Sequence, residues 1–151
     1  MSHHSGKMFS KACEYGIRAA VFIAGQSLQS RKVSLKEVAR EIDSPEAYTS
    51  KILQKLSKSE LIHSEKGPSG GFSINPADLK HLKVKNVVAS IDGENIFKGC
   101  GLGLKQCNEK KPCPLHDKFK EVRDQLQEMV EHTTILELAQ KIEYGFGVLK
   151  R

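Results

Sequence analysis

The sequence predicts a mainly α-helical fold with one small β-hairpin, on three observations. Apolar residues recur at helical spacing over most of the chain, broken by two short extended runs around Lys66-Gly67-Pro68-Ser69-Gly70-Gly71. Ser34 followed by Glu37, and then Pro45, mark the starts of two short helices in close succession. After a segment rich in cysteine, glycine and proline, a long helical periodicity resumes in the last third.

At 151 residues the chain can form one compact domain, or a small domain with an appendage. It carries 24 Lys and Arg against 18 Asp and Glu, a net charge of +6, which points to an anionic partner and to nucleic acid first. Residues 1–8 are polar and lack the apolar stretch of a secretory signal, so a disordered leader is expected there. No apolar run approaches the roughly 20 residues that span a bilayer. A cytoplasmic protein without a membrane role is expected, and in that compartment clustered cysteines bind metal or act in redox more often than they form disulfides.

The first helix is expected over Phe9 to Leu28, with Ser10 as cap and Ile17, Ala20, Val21 and Ala24 as its apolar stripe. The second starts at Ser34, where Glu37 completes a capping box, and buries Leu35, Val38, Ala39 and Ile42. Asp43-Ser44-Pro45 ends it and begins the third, which runs to about Lys58. The buried face of that helix is expected to be Ala47, Tyr48, Ile52, Leu53 and Leu56, and the outer face Thr49, Ser50, Lys51, Gln54, Lys55 and Lys58. Two short helices joined by a tight turn form a helix-turn-helix. The following hairpin, Leu61 to Glu65 against Phe72 to Ile74, is then a wing. Leu79, Leu82, Val84, Val87, Val88 and Ile91 predict a short helical linker. Beyond it, Phe119, Val122, Leu126, Met129 and Val130 predict a long amphipathic helix with a narrow seam suited to pairing with a second copy. A last helix begins at Thr133 or Thr134. The fold class is therefore a winged helix-turn-helix domain plus a long C-terminal dimerisation helix. The divisions are 1–8 leader, 9–82 DNA-binding domain and 83–151 cysteine segment with dimerisation region.

In such a module the third helix enters the major groove with its N-terminal half near base edges. Tyr48, Thr49, Ser50 and Lys51 are the side chains expected there, with Lys55 on phosphate. In the wing, Lys66, Ser69, Gly70 and Gly71 are expected against the backbone, the glycines permitting close approach. Arg18 and Arg31 are candidates for flanking phosphates. The partner is double-stranded DNA with a two-fold site, bound by a homodimer.

Cys100, Cys107 and Cys113 fall in one segment, with His116 three residues beyond. Thiolate and imidazole suit iron or zinc. The segment has no Cys-x-x-Cys pair, the usual mark of structural zinc, and its long gaps favour a cluster. A metal-free thiol switch is the other reading. Cys13 reads as a small buried helix residue. No nucleophile–base motif occurs, and the glycine-rich wing lacks the Lys-Ser/Thr ending of a phosphate-binding loop, so no enzyme is expected.

Four patterns in this order resemble the IscR/NsrR/CymR type of bacterial winged-helix transcription regulators: Tyr15-Gly16-Ile17-Arg18-Ala19, Ser50-Lys51-Ile52-Leu53-Gln54-Lys55-Leu56, Gly67-Pro68-Ser69-Gly70-Gly71-Phe72, and the three-cysteine segment before a long helix. The resemblance covers roughly residues 8 to 142. It implies a transcription regulator whose Cys100, Cys107 and Cys113 ligate an iron–sulfur cluster, 2Fe–2S favoured and 4Fe–4S the alternative. His116 is the expected fourth ligand, and Glu14, reaching in from the partner subunit, is its rival. Such a regulator senses redox, iron, nitric oxide or sulfur status; the alternative is a cluster-free regulator of the same fold that responds to thiol chemistry or a metabolite. Two departures stand out. Lys66 takes a place where relatives often have arginine, and six residues separate Cys100 from Cys107 where five are usual.

Overall fold

The computed structural model describes residues 8–93 and 109–150. The leader expected over 1–8 falls, Met8 apart, outside the described residues, and so do Cys100 and Cys107. Helix α1 (Lys11–Leu28) is the centre of the fold. Ser10 caps it, its Oγ accepting Cys13 N–H at 3.0 Å. Cys13, Ala19, Ala20, Ile23 and Ala24 leave it no exposed side chain along most of its length, and most of the other elements pack on it.

Helices α2 (Leu35–Glu41) and α3 (Glu46–Lys58) follow. The capping box forms as expected: Glu37 N–H donates to Ser34 Oγ at 3.1 Å and Ser34 N–H to Glu37 Oε1 at 3.3 Å. All three helices end alike. Ser30, Asp43 and Glu60 take positive φ, and the next residue's N–H reaches back five places, Arg31 to Gln26, Ser44 to Ala39 and Leu61 to Leu56, at 2.9, 2.9 and 3.0 Å. This is the Schellman ending, built three times without glycine.

Strands β1 (His63–Glu65) and β2 (Gly71–Ser73) pair antiparallel, Ser64 opposite Phe72. Val33 joins them by exchanging two backbone hydrogen bonds with Phe72 at 3.0 and 2.8 Å, which ties the wing to the start of α2. Helices α4 (Pro76–Leu79) and α5 (Val84–Asp92) come next. The stretch expected to be a linker is core instead: Leu79, Val87 and Val88 are fully buried, because α5 lies along α1 and α3.

Helix α6 (His116–His132) follows the cysteine segment, and α7 (Ile135–Glu143) packs on α1. Two backbone bonds fasten this region to the start of α5, Val84 N–H to Thr133 O and Ile135 N–H to Leu82 O, both 2.9 Å. The expected seam of α6 divides between two faces. Val130 is buried in the body with His116 and Arg123, seven residues apart on one face, whereas Val122 and Met129 remain about half exposed beside half-buried Phe119 and Leu126. Val84, Val130, Ile135 and Ala139 share one core with residues of α1 to α3. Among the described residues no helix is long and apolar enough to cross a membrane.

Candidate functional site

Helix α3 presents two faces because its apolar residues repeat at three and four. Ile52, Leu53 and Leu56 are buried against α1 and α2, and Lys51, Gln54, Lys55 and Lys58 are exposed opposite. Lys55 and Lys58 also lie in the last turn, where cations complement the helix dipole. Ser50 is half-buried and its Oγ accepts from Gln54 Nε2 at 3.4 Å.

Two residues of the expected faces change places. Thr49 was expected outside; it is 0% exposed, its Oγ1 donating to Pro45 O at 2.8 Å, so it offers nothing to a base edge. Ala47, expected inside, is exposed. The residues 49, 52, 53 and 56 form the i, i+3, i+4, i+7 stripe of a helix, so treating threonine as a buried spacer would have found this in the sequence. Tyr48 is half-buried. Its ring meets Tyr15 edge to face, centroids 5.5 Å apart at 79°, and burial, then Tyr15, push its phenol above the usual tyrosine range.

The tip of the wing is open to solvent, with Lys66 and Ser69 exposed there. Gly70 closes the tip turn, its N–H donating to Gly67 O at 3.0 Å; a Cβ there would fall 2.2 Å from Glu65 O. Gly71 holds φ +140, and a Cβ there would meet Val33 O at 2.8 Å. Both glycines are thus needed by the hairpin itself. An ion pair between Lys32 and Glu65, with His63 Nε2 3.2 Å from the same carboxylate, braces the wing base. Lys32, then His63, hold the Glu65 carboxyl below the usual range. This bridge joins residues 33 apart and left no mark in the sequence.

Arg18 and Arg31 are engaged within the fold. Arg18 lies 4.9 Å over the Tyr15 ring and donates to Ile42 O at 3.1 Å; Arg31 pairs with Glu37 at 3.1 Å and with Gln26.

Of the thiol site, Cys113, His116 and Glu14 are described. Cys113 is partly exposed and His116 is 7% exposed at the first position of α6. The His116 N–H donates to Cys113 O at 3.0 Å, which holds the two residues in one turn. Glu14 is half-buried in the first turn of α1. Among the described residues no three His, Cys, Asp or Glu converge on one point. Cys13 is fully buried, as expected, and burial, then the nearby Asp92, push its thiol up to about 12.

Comparison with known proteins agrees with this architecture. The model of the Rrf2 family, described as an iron-dependent transcriptional regulator, matches residues 9–141. A putative HTH-type transcriptional regulator of Aquifex aeolicus is 29% identical over 133 residues, covering 87% of this chain and 90% of that one. The HTH-type transcriptional regulator IscR of Vibrio campbellii is 25% identical over 132 residues, covering 87% and 76%. Among solved structures, T. potens IscR superposes with a TM-score of 0.72 at 20% identity over 96% of both chains. CymR, the global cysteine regulator of B. subtilis, gives 0.71 at 19% identity over 87% of this chain and 95% of its own. The chain shares the fold of CymR and IscR and belongs to the Rrf2 family: it is a transcriptional regulator and not an enzyme.

Proposed function

We propose that this regulator binds a two-fold DNA site as a homodimer in the cytoplasm, and that an iron–sulfur cluster on Cys100, Cys107, Cys113 and His116 sets its affinity. The observation that carries the DNA reading is the exposed Lys51, Gln54, Lys55 and Lys58 face of α3 beside a wing that exposes Lys66 and Ser69. Lys51, Ser50 and the Tyr48 hydroxyl face base edges; Lys55, Lys66, Ser69 and the backbone of Gly70 and Gly71 meet phosphate. Residues 9–82 then contribute the reading surface and 83–151 the sensing and pairing functions. Pairing runs along Leu115, Phe119, Val122, Leu126 and Met129, an alternating three-and-four spacing that leaves Leu115, Val122 and Met129 exposed in the single chain.

The donor chemistry supports the cluster. A partly exposed thiol and a buried imidazole, one turn apart and joined by a backbone hydrogen bond, suit an iron site that takes thiolate and histidine ligands. Cys100 and Cys107 complete the set, with a 2Fe–2S cluster favoured over 4Fe–4S and Glu14 of the partner subunit as the rival fourth ligand. Such a cluster, when bound, supplies a centre that reacts with oxidants and nitric oxide. A cluster-free thiol regulator is the second reading, favoured by the partial exposure of Cys113.

Anaerobic purification separates them: visible absorbance with iron and sulfide, both abolished by Cys107→Ala, supports the cluster, and colourless protein with a reversible thiol response supports the second reading. For DNA, the probe is the tightest duplex selected by the protein from a random pool. Lys51→Ala should weaken it by about 1–3 kcal/mol and relax one base position. Lys66→Ala should weaken selected and random duplexes alike and lower the salt slope by about one ion per subunit. If neither variant changes binding, α3 and the wing are not the reading surface.

A further inference from the structure

The end of α5 meets the starts of α1 and α3 at one junction. Asp92, the last residue of α5, accepts Ser10 Oγ–H at 2.5 Å and Ser10 N–H at 3.3 Å. A carboxylate is favoured at the start of a helix and disfavoured at the end of its own, so α1 is what holds Asp92. One turn into α1, Gly16 lies so near Ile91 that a Cβ would come within 2.6 Å of its Cδ1, and the two helices are locked side by side there. Tyr15 adjoins that contact. On one side its ring meets Tyr48 in the first turn of α3; on the other it carries Arg18, which bonds the carbonyl of Ile42 at the end of α2. Both helices of the helix-turn-helix thus bear on Tyr15. The charge of Asp92 also reaches the Tyr48 phenol, behind the effects of burial and Tyr15. At the far end of α3, Ser90 of α5 shares a hydrogen bond with Ser59 at 2.7 Å and donates to Lys55 O at 3.3 Å. From Asp92 the chain runs on through Gly93 to the segment that bears Cys100 and Cys107.

We propose that Asp92 is a positioning residue for the reading helix: through Ser10 and the Tyr15–Tyr48 contact it transmits displacement at the start of the cysteine segment to α3 of the same subunit. The proposal rests on α3 being the DNA-contacting helix and deepens that reading by naming how its presentation is set. The latch is a side-chain contact between residues 82 apart in sequence, and it joins the residue next to the segment directly to the helix that both α2 and α3 lean on. A shift of Asp92 cannot leave α1 behind without breaking two hydrogen bonds to Ser10. A shift of α1 carries Tyr15, and with it the first turn of α3, where side chains approach base edges.

The test uses the metal-free full-length protein and two duplexes, the selected one and a random one. Asp92→Asn and Tyr15→Leu should each weaken the selected duplex about fivefold, with the random duplex and the salt slope unchanged. The double variant should bind within about twofold of the weaker single, because both act through one contact path. Asp92→Ala, which leaves the Ser10 cap on Cys13 N–H in place, should follow Asp92→Asn, and Ser10→Thr, which keeps both the cap and the hydroxyl, should retain wild-type affinity; this pair decides the matter if Asp92→Asn folds poorly. Independent, multiplying effects, equal losses on both duplexes, or an Asp92→Asn variant that binds like wild type would overturn the proposal. In anaerobically loaded protein, Asp92→Asn should keep its iron and sulfide, while the change in affinity on loading shrinks to less than about twofold; an undiminished change would also overturn it. If the wild type takes up no iron and sulfide, the cluster reading fails, and the metal-free cycle still judges the latch.

Discussion

Thr49→Val separates a buried brace from a base contact in the first turn of the reading helix. The two side chains have the same shape and similar helix preference, so the swap removes one hydroxyl and little else. Thr49 is 0% exposed, and its Oγ1 donates to Pro45 O at 2.8 Å. That carbonyl also accepts the Thr49 N–H at 2.9 Å, so losing the hydroxyl leaves no acceptor orphaned. The loss is therefore the net worth of one neutral hydrogen bond, about 0.5–1.5 kcal/mol. The added methyl returns part of that, up to roughly 0.8 kcal/mol if fully buried. The expected result is a destabilisation of about 0–1 kcal/mol, which for a chain of this length lowers Tm by at most about 4 °C. Affinity for the selected duplex should stay within about twofold of wild type. Urea unfolding and a duplex titration on the same preparation measure both. A tenfold loss of affinity with unchanged stability would mean that Thr49 reaches the DNA after all. A loss above about 2 kcal/mol would mean that the hydroxyl holds more of the turn than this single bond.

Three further outcomes follow from particular residues. Cys13, fully buried and with its thiol pushed up to about 12, should resist alkylation at pH 8 until the chain unfolds; rapid native labelling of its peptide by mass spectrometry would contradict its place in the core. Glu60 sits at φ 61 after α3, where a left-handed residue other than glycine costs about 1–2 kcal/mol; Glu60→Gly should recover about 0.5–1 kcal/mol net of chain entropy, and a lowered Tm would refute this account of the helix end. If His116 is the fourth ligand, His116→Ala should weaken cluster retention while Glu14→Ala changes little, read from iron and sulfide after anaerobic gel filtration; the opposite ranking moves the site between subunits.

Several elements could be read from the residues because their causes are local. Ser34 with Glu37 caps a helix within four residues, Pro45 starts one by its fixed φ, and Gly67 to Gly71 can turn where other residues clash. The lysines of α3 face outward because Ile52, Leu53 and Leu56 must face inward. The three helix ends at Ser30, Asp43 and Glu60 were not legible, since a left-handed ending without glycine looks like any other residue. Thr49 was misplaced for a related reason: a hydroxyl that bonds four residues back can sit in a core as easily as a methyl.

The sequence by itself determined the order of helices, turn and wing, the thiol-bearing segment and the likeness to a family of regulators, because each is written within a few neighbouring residues. Only the tertiary structure decided that α5 and α7 belong to the core around α1, that α6 turns Val130 inward and leaves Val122 and Met129 outward, and that Asp92 closes on Ser10. Those outcomes depend on which surfaces meet after the chain has folded back over tens of residues. Periodicity records that a side chain will be buried, but not against what.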